Sequence, residues 1–214
     1  LVTAGPTFEA IDPVRFIGNR SSGKMGYAIA EEMASQGAEV LLVSGPGNLN
    51  VINPGITRVN VESAEQMLNA CMTDFSKQDI IVMSAAVADY KPADVATEKL
   101  KKKNNDIPLP LIPTQDILAL MGERKGKNQF LVGFALETEN ELENATGKLK
   151  KKNLDLVVLN SLKDAGAGFN HDTNKITIID KAGIEHHFGL KPKQEVAKDL
   201  VNLIITNITN TTVK

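Results

Sequence analysis

Cysteine is nearly absent: Cys71 stands alone in 214 residues, so no disulfide can form within the chain. A reducing compartment suits such a chain, and the cytoplasm is the expected location. No apolar run reaches about 18 residues, and no charged-then-apolar leader opens the sequence. Neither membrane insertion nor export is therefore expected. An excess of either charge is also missing, with 24 Lys and Arg against 26 Asp and Glu. With a formal net charge of -2 and a pI near 6.0, neither nucleic acid nor a membrane surface is expected as a partner.

Several catalytic signatures are missing as well. There is no G-x-S-x-G elbow and no Ser-His-Asp arrangement, which argues against a serine hydrolase. No G-x-G-x-x-G follows the first strand-like run, which weakens a hydride-transferring, NAD-binding reading. His171, His186 and His187 lack metal-type spacing with cysteines or carboxylates, so no metal site is assigned.

What is present is a 42% hydrophobic chain that can bury one good core, and a single domain over 1–214 is expected. Short β-rich runs alternate with helix-period segments, the pattern of an α/β fold: a mostly parallel sheet with helices on both faces. "LVTAG" opens the chain inside a strand, which suggests excision from something longer. A helix from about Lys24 carries Met25, Ile29 and Met33 on one face. "AEVLLVSG" and "TRVNV" read as strands, and Ser63 with Gln66 is spaced as a capping box for a helix that buries Cys71. "DIIVMSAAVADY" reads as a central strand running into a loop, and a Lys-rich "EKLKKKNND" separates it from "IPLPLIPT". A short helix "QDILALM" leads to the strand "QFLVGFALET". Thr138 and Glu141 are expected to cap the next helix, with Leu142, Ala145 and Leu149 facing the core. "LDLVVLN" is a further core strand. A hairpin around Lys181 to Gly183 and a Pro-started helix with Val196, Leu200, Leu203 and Ile204 close the domain.

"GNRSSGKMG" (18–26) meets the P-loop pattern through Lys24, but Met25 stands where a hydroxyl should hold Mg2+, and the first strand ends far upstream near Gly5. The alternative is a glycine-rich approach to a helix with Ser21 or Ser22 as N-cap. Either arrangement binds an anion through free N–H groups and the helix dipole. In "SAAVADY", Ser84, Ala85 and Ala86 keep the wall low where a strand delivers its carboxyl end, and Asp89 is either a ribose ligand or a turn former. Lys148 and Lys152, four apart on one helix, project together and suit a polyphosphate. In a chain with 4% aromatics, Phe134 after Gly133 is a core residue or a base platform, and "TQDIL" starts a helix able to hold phosphate or base edges. "EKLKKK" reads first as a solvated face.

Taken in order, "AGPTFEAIDPVRFIGNRSSGKMGYAIA", "VSGP", "SAAVADYKP", "EKLKK", "GFALET" and "KLKKKNLDLVVLN" closely resemble the phosphopantothenoylcysteine synthetase family, across essentially the whole chain. The resemblance implies a Rossmann-like fold with ribokinase-like features, a homodimer, and in most bacteria a covalent link to an N-terminal flavin-dependent decarboxylase. It implies a ligase of coenzyme A biosynthesis that joins 4'-phosphopantothenate to L-cysteine. CTP is the expected co-substrate, with Mg2+, through an acyl-cytidylate that releases pyrophosphate and then CMP. Carried over by position, Asn19 and Lys99 are catalytic. CTP falls to Met83, Ser84, Ala85, Asp89, Lys99, Gln115, Asp116, Ile117, Leu118, Phe134, Lys148 and Lys152. Phosphopantothenate falls to Asn19, Arg20, Ser21, Ser22 and Gly23, which makes the Walker match of Lys24 accidental. At Gln115 the chain has "TQDIL" where many bacterial members have an Asn-Pro-Asp pattern. An ATP-dependent variant of the same ligase and a non-catalytic nucleotide-binding regulatory module are the alternatives.

Overall fold

A computed structural model describes residues 1–102, 108–137, 139–161 and 171–212. One sheet organises them, in the order β12-β11-β10-β9-β6-β1-β4-β5. Its parallel part consists of β1 (Val2–Ala4), β4 (Val40–Ser44), β5 (Ile56–Asn60), β6 (Ile80–Met83), β9 (Phe130–Glu137) and β10 (Leu156–Ser161). An antiparallel hairpin, β11 (Thr173–Asp180) and β12 (Glu185–Pro192), extends it past β10. At the hairpin turn the Asp180 carboxylate accepts from the N–H groups of Ala182 and Ile184, and Gly183 takes φ 84°.

Strand alternation builds two cores. Val82, Leu156 and Val158 face helices α1 (Lys24–Ser35) and α5 (Lys193–Thr212), burying Ile29, Met33, Val196 and Leu200. Their neighbours Ile81, Met83, Val157 and Leu159 face the other way, onto α2 (Ala64–Thr73), α3 (Ile117–Arg124) and α4 (Glu141–Lys151). Cys71 is buried in this second core, where lost hydration pushes its thiol up to about 12. The expected doubly covered sheet, terminal hairpin and closing helix are therefore all present.

The chain leaves β1 toward β4 and β5 on one side, then returns to β6 on the other, so the connection reverses between β1 and β6. In open α/β sheets a ligand crevice opens at the carboxyl ends of such a pair. Two short ribbons sit near it: β2 (Phe8–Ala10) with β3 (Phe16–Gly18), and β7 (Tyr90–Pro92) with β8 (Leu111–Pro113). The β2–β3 ribbon occupies the stretch between β1 and α1, where a true Walker loop would be short and direct.

Helix starts differ from expectation in three places. Gly23, at φ 77°, holds the N-cap position of α1 with no side-chain cap, and the Ser21 hydroxyl instead accepts from the Gly23 N–H at 3.3 Å. A Cβ at Gly23 would stand 3.2 Å from the Gly5 nitrogen, so both the turn and the close approach favour glycine there. In α2 Ser63 caps the Gln66 N–H as expected, but the Gln66 side chain reaches the N–H of Glu62, one residue earlier than a capping box requires. α4 starts after Asn140 in a left-handed turn, and the expected cap Thr138 lies outside the described residues, as do positions 103–107 of the Lys-rich stretch. Leu142 is 43% exposed rather than in the core: it sits in the first turn of α4, whereas Ala145 and Leu149 further along the helix are buried.

Candidate functional site

The loop after β6 is laced to the end of β1 by two buried threonines. The Thr3 hydroxyl accepts from the Ala85 N–H at 3.1 Å, and the Thr7 hydroxyl accepts from Ala88 at 2.9 Å. The Ser84 hydroxyl donates to the Thr3 carbonyl at 2.8 Å, and the Ala86 N–H to the Gly5 carbonyl at 2.9 Å. Asn19, between β3 and α1, joins this lacing: its amide nitrogen donates to the carbonyls of Ala86 and Val87 at 3.1 and 3.0 Å. The small residues of this loop therefore keep a low wall, and Asn19 braces it from across the crevice.

Helix α1 is driven hard against that wall. A Cβ at Gly26 would stand 2.6 Å from the Ala4 Cβ and 2.7 Å from the Ser84 hydroxyl. The first intrahelical bond runs from the Tyr27 N–H to the Gly23 carbonyl, so the N–H groups of the preceding turn lack helical acceptors and face the crevice end of the helix. Such an end attracts anions.

The other bank of the crevice is made by α3, β9 and α4. Asp116 caps α3 through the Ala119 N–H at 2.9 Å and pairs with Lys152 at 2.7 Å. Desolvation opposes ionisation of Asp116, but the Lys152 and Ala119 hydrogen bonds outweigh it and hold its carboxyl below the usual range. The Lys148 ammonium donates to the Phe134 carbonyl at 2.5 Å. Desolvation first, and the neighbouring Lys152 charge second, hold Lys148 below an ordinary lysine. An incoming phosphate would restore its affinity for a proton.

These groups line one cavity of about 450 Å3. The loop residues Met83, Ser84, Ala85 and Asp89 are in it, as are Asn19 and the Ser21 to Gly23 turn. So are the α3 start from Gln115 to Leu118, Phe134, Lys148 and Lys152. Arg20 and Lys99 are exposed and lie outside the lining. The neighbour of Lys99 is firmly held, however: the Leu100 N–H donates to Asp12 at 3.0 Å and its carbonyl accepts from Arg15 at 2.7 Å. Asp12 is 2% exposed and also accepts from the Val14 and Arg15 N–H groups, and its bond to the Arg15 guanidinium holds its carboxyl well below the carboxylate range. Sequence reasoning missed Asn160, Asn174 and Lys193, and set Lys24 aside, yet all four line the cavity.

Residues 1–208 match the family described as DNA/pantothenate metabolism flavoprotein C-terminal domain. The chain is 46% identical over 204 residues to the coenzyme A biosynthesis bifunctional protein CoaBC of Haemophilus influenzae, covering 95% of this chain and 50% of that one. It is 52% identical over 205 residues to a cysteine/cysteine sulfinic acid decarboxylase from an unknown prokaryotic organism, covering 96% of this chain and 57% of that one. Among solved structures, the C-terminal domain of a CoaBC protein matches with a TM-score of 0.81 at 45% identity, covering 97% of this chain and 96% of that one. The chain thus spans about half the length of the curated relatives it matches.

Proposed function

Because the chain belongs to the DNA/pantothenate metabolism flavoprotein C-terminal domain family, we propose that it ligates 4'-phosphopantothenate and L-cysteine in coenzyme A biosynthesis, with CTP as the activating nucleotide. A carboxylate is inert to amines because oxide would have to leave. In the proposed first step a carboxylate oxygen attacks the α-phosphorus of CTP, forming an acyl-cytidylate and expelling pyrophosphate. In the second the cysteine amine attacks the acyl carbon, the amide forms, and CMP leaves as the amine gives up a proton.

One observation carries the reading: a single cavity at the β1/β6 reversal gathers a braced backbone wall, a helix N-terminus and a lysine pair. The reaction must align anions that repel each other and keep water from a mixed anhydride, and these parts suit that task. Asp89 suits the ribose, and Phe134 and the Gln115 to Leu118 turn suit the base. Lys148 and Lys152 suit phosphate. Asn19 would serve the acyl-phosphate by exchanging one of its two bonds to the Ala86 and Val87 carbonyls. Lys99 would act from the exposed segment that Asp12 anchors at Leu100. Ser21, Ser22 and Gly23, with Arg20 nearby, are the proposed seat of phosphopantothenate.

Among the described residues no group of three or more His, Cys, Asp or Glu gathers to hold a metal ion. Among the described residues the acids lining the cavity are Asp89 and Asp116, and Asp116 is paired with Lys152. A magnesium ion accompanying the triphosphate would be carried by phosphate oxygens and water. Linkage to a decarboxylase half, a cytoplasmic setting and a homodimer complete the proposal. The β7–β8 ribbon, which exposes Tyr90, Leu111 and Ile112, suits a second copy. The chain covers 57% of the decarboxylase among the relatives, and that protein's chemistry is not carried to this chain.

Supplying phosphopantothenate and cysteine with CTP or ATP, and identifying the monophosphate released, tests the reading. CMP formed in step with the amide product is expected. AMP instead would transfer the site to ATP, and no monophosphate with either nucleotide would leave only a binding module.

A further inference from the structure

Glu9, in the middle of β2, is a buried carboxylate that the site does not use. It is 4% exposed, lies outside the cavity lining, and has no ion-pairing cation among the described residues. A charge is costly to bury without compensation. The start of α2 supplies it: Glu9 Oε1 accepts from the Ala64 N–H at 2.8 Å, where the positive end of the helix dipole favours an acid. That helix already has a local cap in Ser63, which accepts from the Gln66 N–H. Glu9 instead reaches it across 55 positions of sequence. Beside this bond the Phe8 N–H donates to the Glu62 carbonyl at 2.8 Å. Two adjacent residues of β2 thus clasp the β2–β3 ribbon onto the start of α2.

The ribbon is internally tight, and it ends at Asn19. The Phe8 and Phe16 rings stack with their centroids 3.8 Å apart. Phe8 is paired with Gly18, where a Cβ would stand 2.6 Å from the Phe8 ring, so a side chain at 18 would part the two strands. The next residue is Asn19, whose amide donates to the Ala86 and Val87 carbonyls. Just before the ribbon, Thr7 holds the same loop through Ala86 and Ala88. A tilt of this unit about its clasp on α2 would therefore carry Asn19 away from the wall it braces.

We propose that Glu9 is a positioning residue: its carboxylate locks the β2–β3 ribbon onto the start of α2 and so sets where Asn19 meets the loop after β6. It acts from outside the cavity and touches no reactant. The proposal rests on the ligase reading for what Asn19 does once it is in place. Placement matters there because Asn19 must hold the wall in the free protein and still release one carbonyl for the acyl-phosphate. A misplacement of about 1 Å is enough to slow such a step.

The test compares the full chain with Glu9→Ala, Glu9→Gln and, as a control at the same helix end, Ser63→Ala. Ser63→Ala removes a bond at the α2 start and leaves the ribbon alone, so a merely structural role for Glu9 would make the two alanine variants behave alike. Exchange of the Asn19 side-chain amide protons, followed by nitrogen-15 NMR, reads the brace without any turnover. kcat and the KM of each reactant are then measured. In Glu9→Ala the Asn19 protons should exchange about tenfold faster and kcat should fall about tenfold or more, the scale of one hydrogen bond to a charged group, with the KM for CTP within about twofold. Glu9→Gln keeps an acceptor oxygen for the Ala64 N–H and should restore both, whereas Ser63→Ala should lower Tm and change neither. Parent-like exchange and kcat in Glu9→Ala, or equal losses in Ser63→Ala, would overturn the proposal. Faster Asn19 exchange in variants of a chain that makes no product would keep the positioning role and sink the ligase reading. If Glu9→Ala fails to fold, Glu9→Asp carries the test: its carboxylate is one methylene shorter, so reaching Ala64 pulls the ribbon toward α2 and kcat should fall. Exchange and kcat equal to the parent there would overturn the proposal.

Discussion

The two ends of the cavity lie over opposite faces of the sheet, and each carries two lysines, but they are built differently. Lys148 and Lys152 come from one helix and its C-cap, separated by about one turn. Lys24 and Lys193 come from the first residues of two helices at opposite ends of the chain, brought together by the packing of α1 on α5. Both ends depress a lysine by burial and by a like charge, Lys148 in one and Lys193 in the other. One electrostatic device, a charge made costly until an anion arrives, is thus reached once by local spacing and once by tertiary packing.

Removing what the two ends share should break the comparison most severely. Asn19→Asp places a carboxylate against the Ala86 and Val87 carbonyls, replacing two donated bonds by repulsion at the centre of the cavity. Turnover should fall by roughly 10²–10³-fold, the scale seen when a transition-state donor is lost. Single-turnover formation of the acyl-nucleotide checks this, and a normal rate would remove Asn19 from the machinery. Gly26→Ala attacks the same floor by steric means, because its Cβ would overlap Ala4 and Ser84. It should cost about 1–3 kcal/mol in denaturant unfolding and weaken both ends together.

A pH series sharpens the contrast between the ends. Bound nucleotide phosphate should raise the depressed affinity of Lys148 for its proton, so binding takes up a proton once the pH exceeds the lowered free-state value. CTP affinity should therefore decline on the alkaline side, earlier than an ordinary lysine would dictate. Lys148→Met should bind more weakly and with a flatter alkaline profile, by calorimetry in two buffers of different ionisation enthalpy. The smallest effect belongs to a residue near neither end. Cys71→Ala should cost about 1 kcal/mol of stability through a small cavity and leave kcat unchanged. The parent thiol, held at about 12, should resist alkylation until the chain unfolds.

This contrast also sets how much was legible in the sequence. Strand alternation in "DIIVM" and "LDLVVL" and the helical spacing of Met67 and Cys71 announce the doubly covered sheet, because period and burial are local properties. The Lys148/Lys152 pair was legible for the same reason. The helix start at "TQDIL" was legible locally as a place for phosphate or base edges, whereas the role of Asn19 came from family resemblance; composition alone left Phe134 as core or platform. Asn160, Asn174 and Lys193 carried no local signal, since the hairpin and α5 must fold back onto α1 before they meet Lys24. The cap of α1 was missed because Gly23 is fixed by contact with Gly5, a long-range constraint that serine propensity could not reveal.

Labelling the phosphopantothenate carboxylate with oxygen-18 tests the central claim most directly. Attack on the α-phosphorus predicts one labelled oxygen in the phosphate of released CMP and none in pyrophosphate. Label in pyrophosphate or inorganic phosphate, or unlabelled CMP alongside amide product, would contradict activation by nucleotidyl transfer in this cavity.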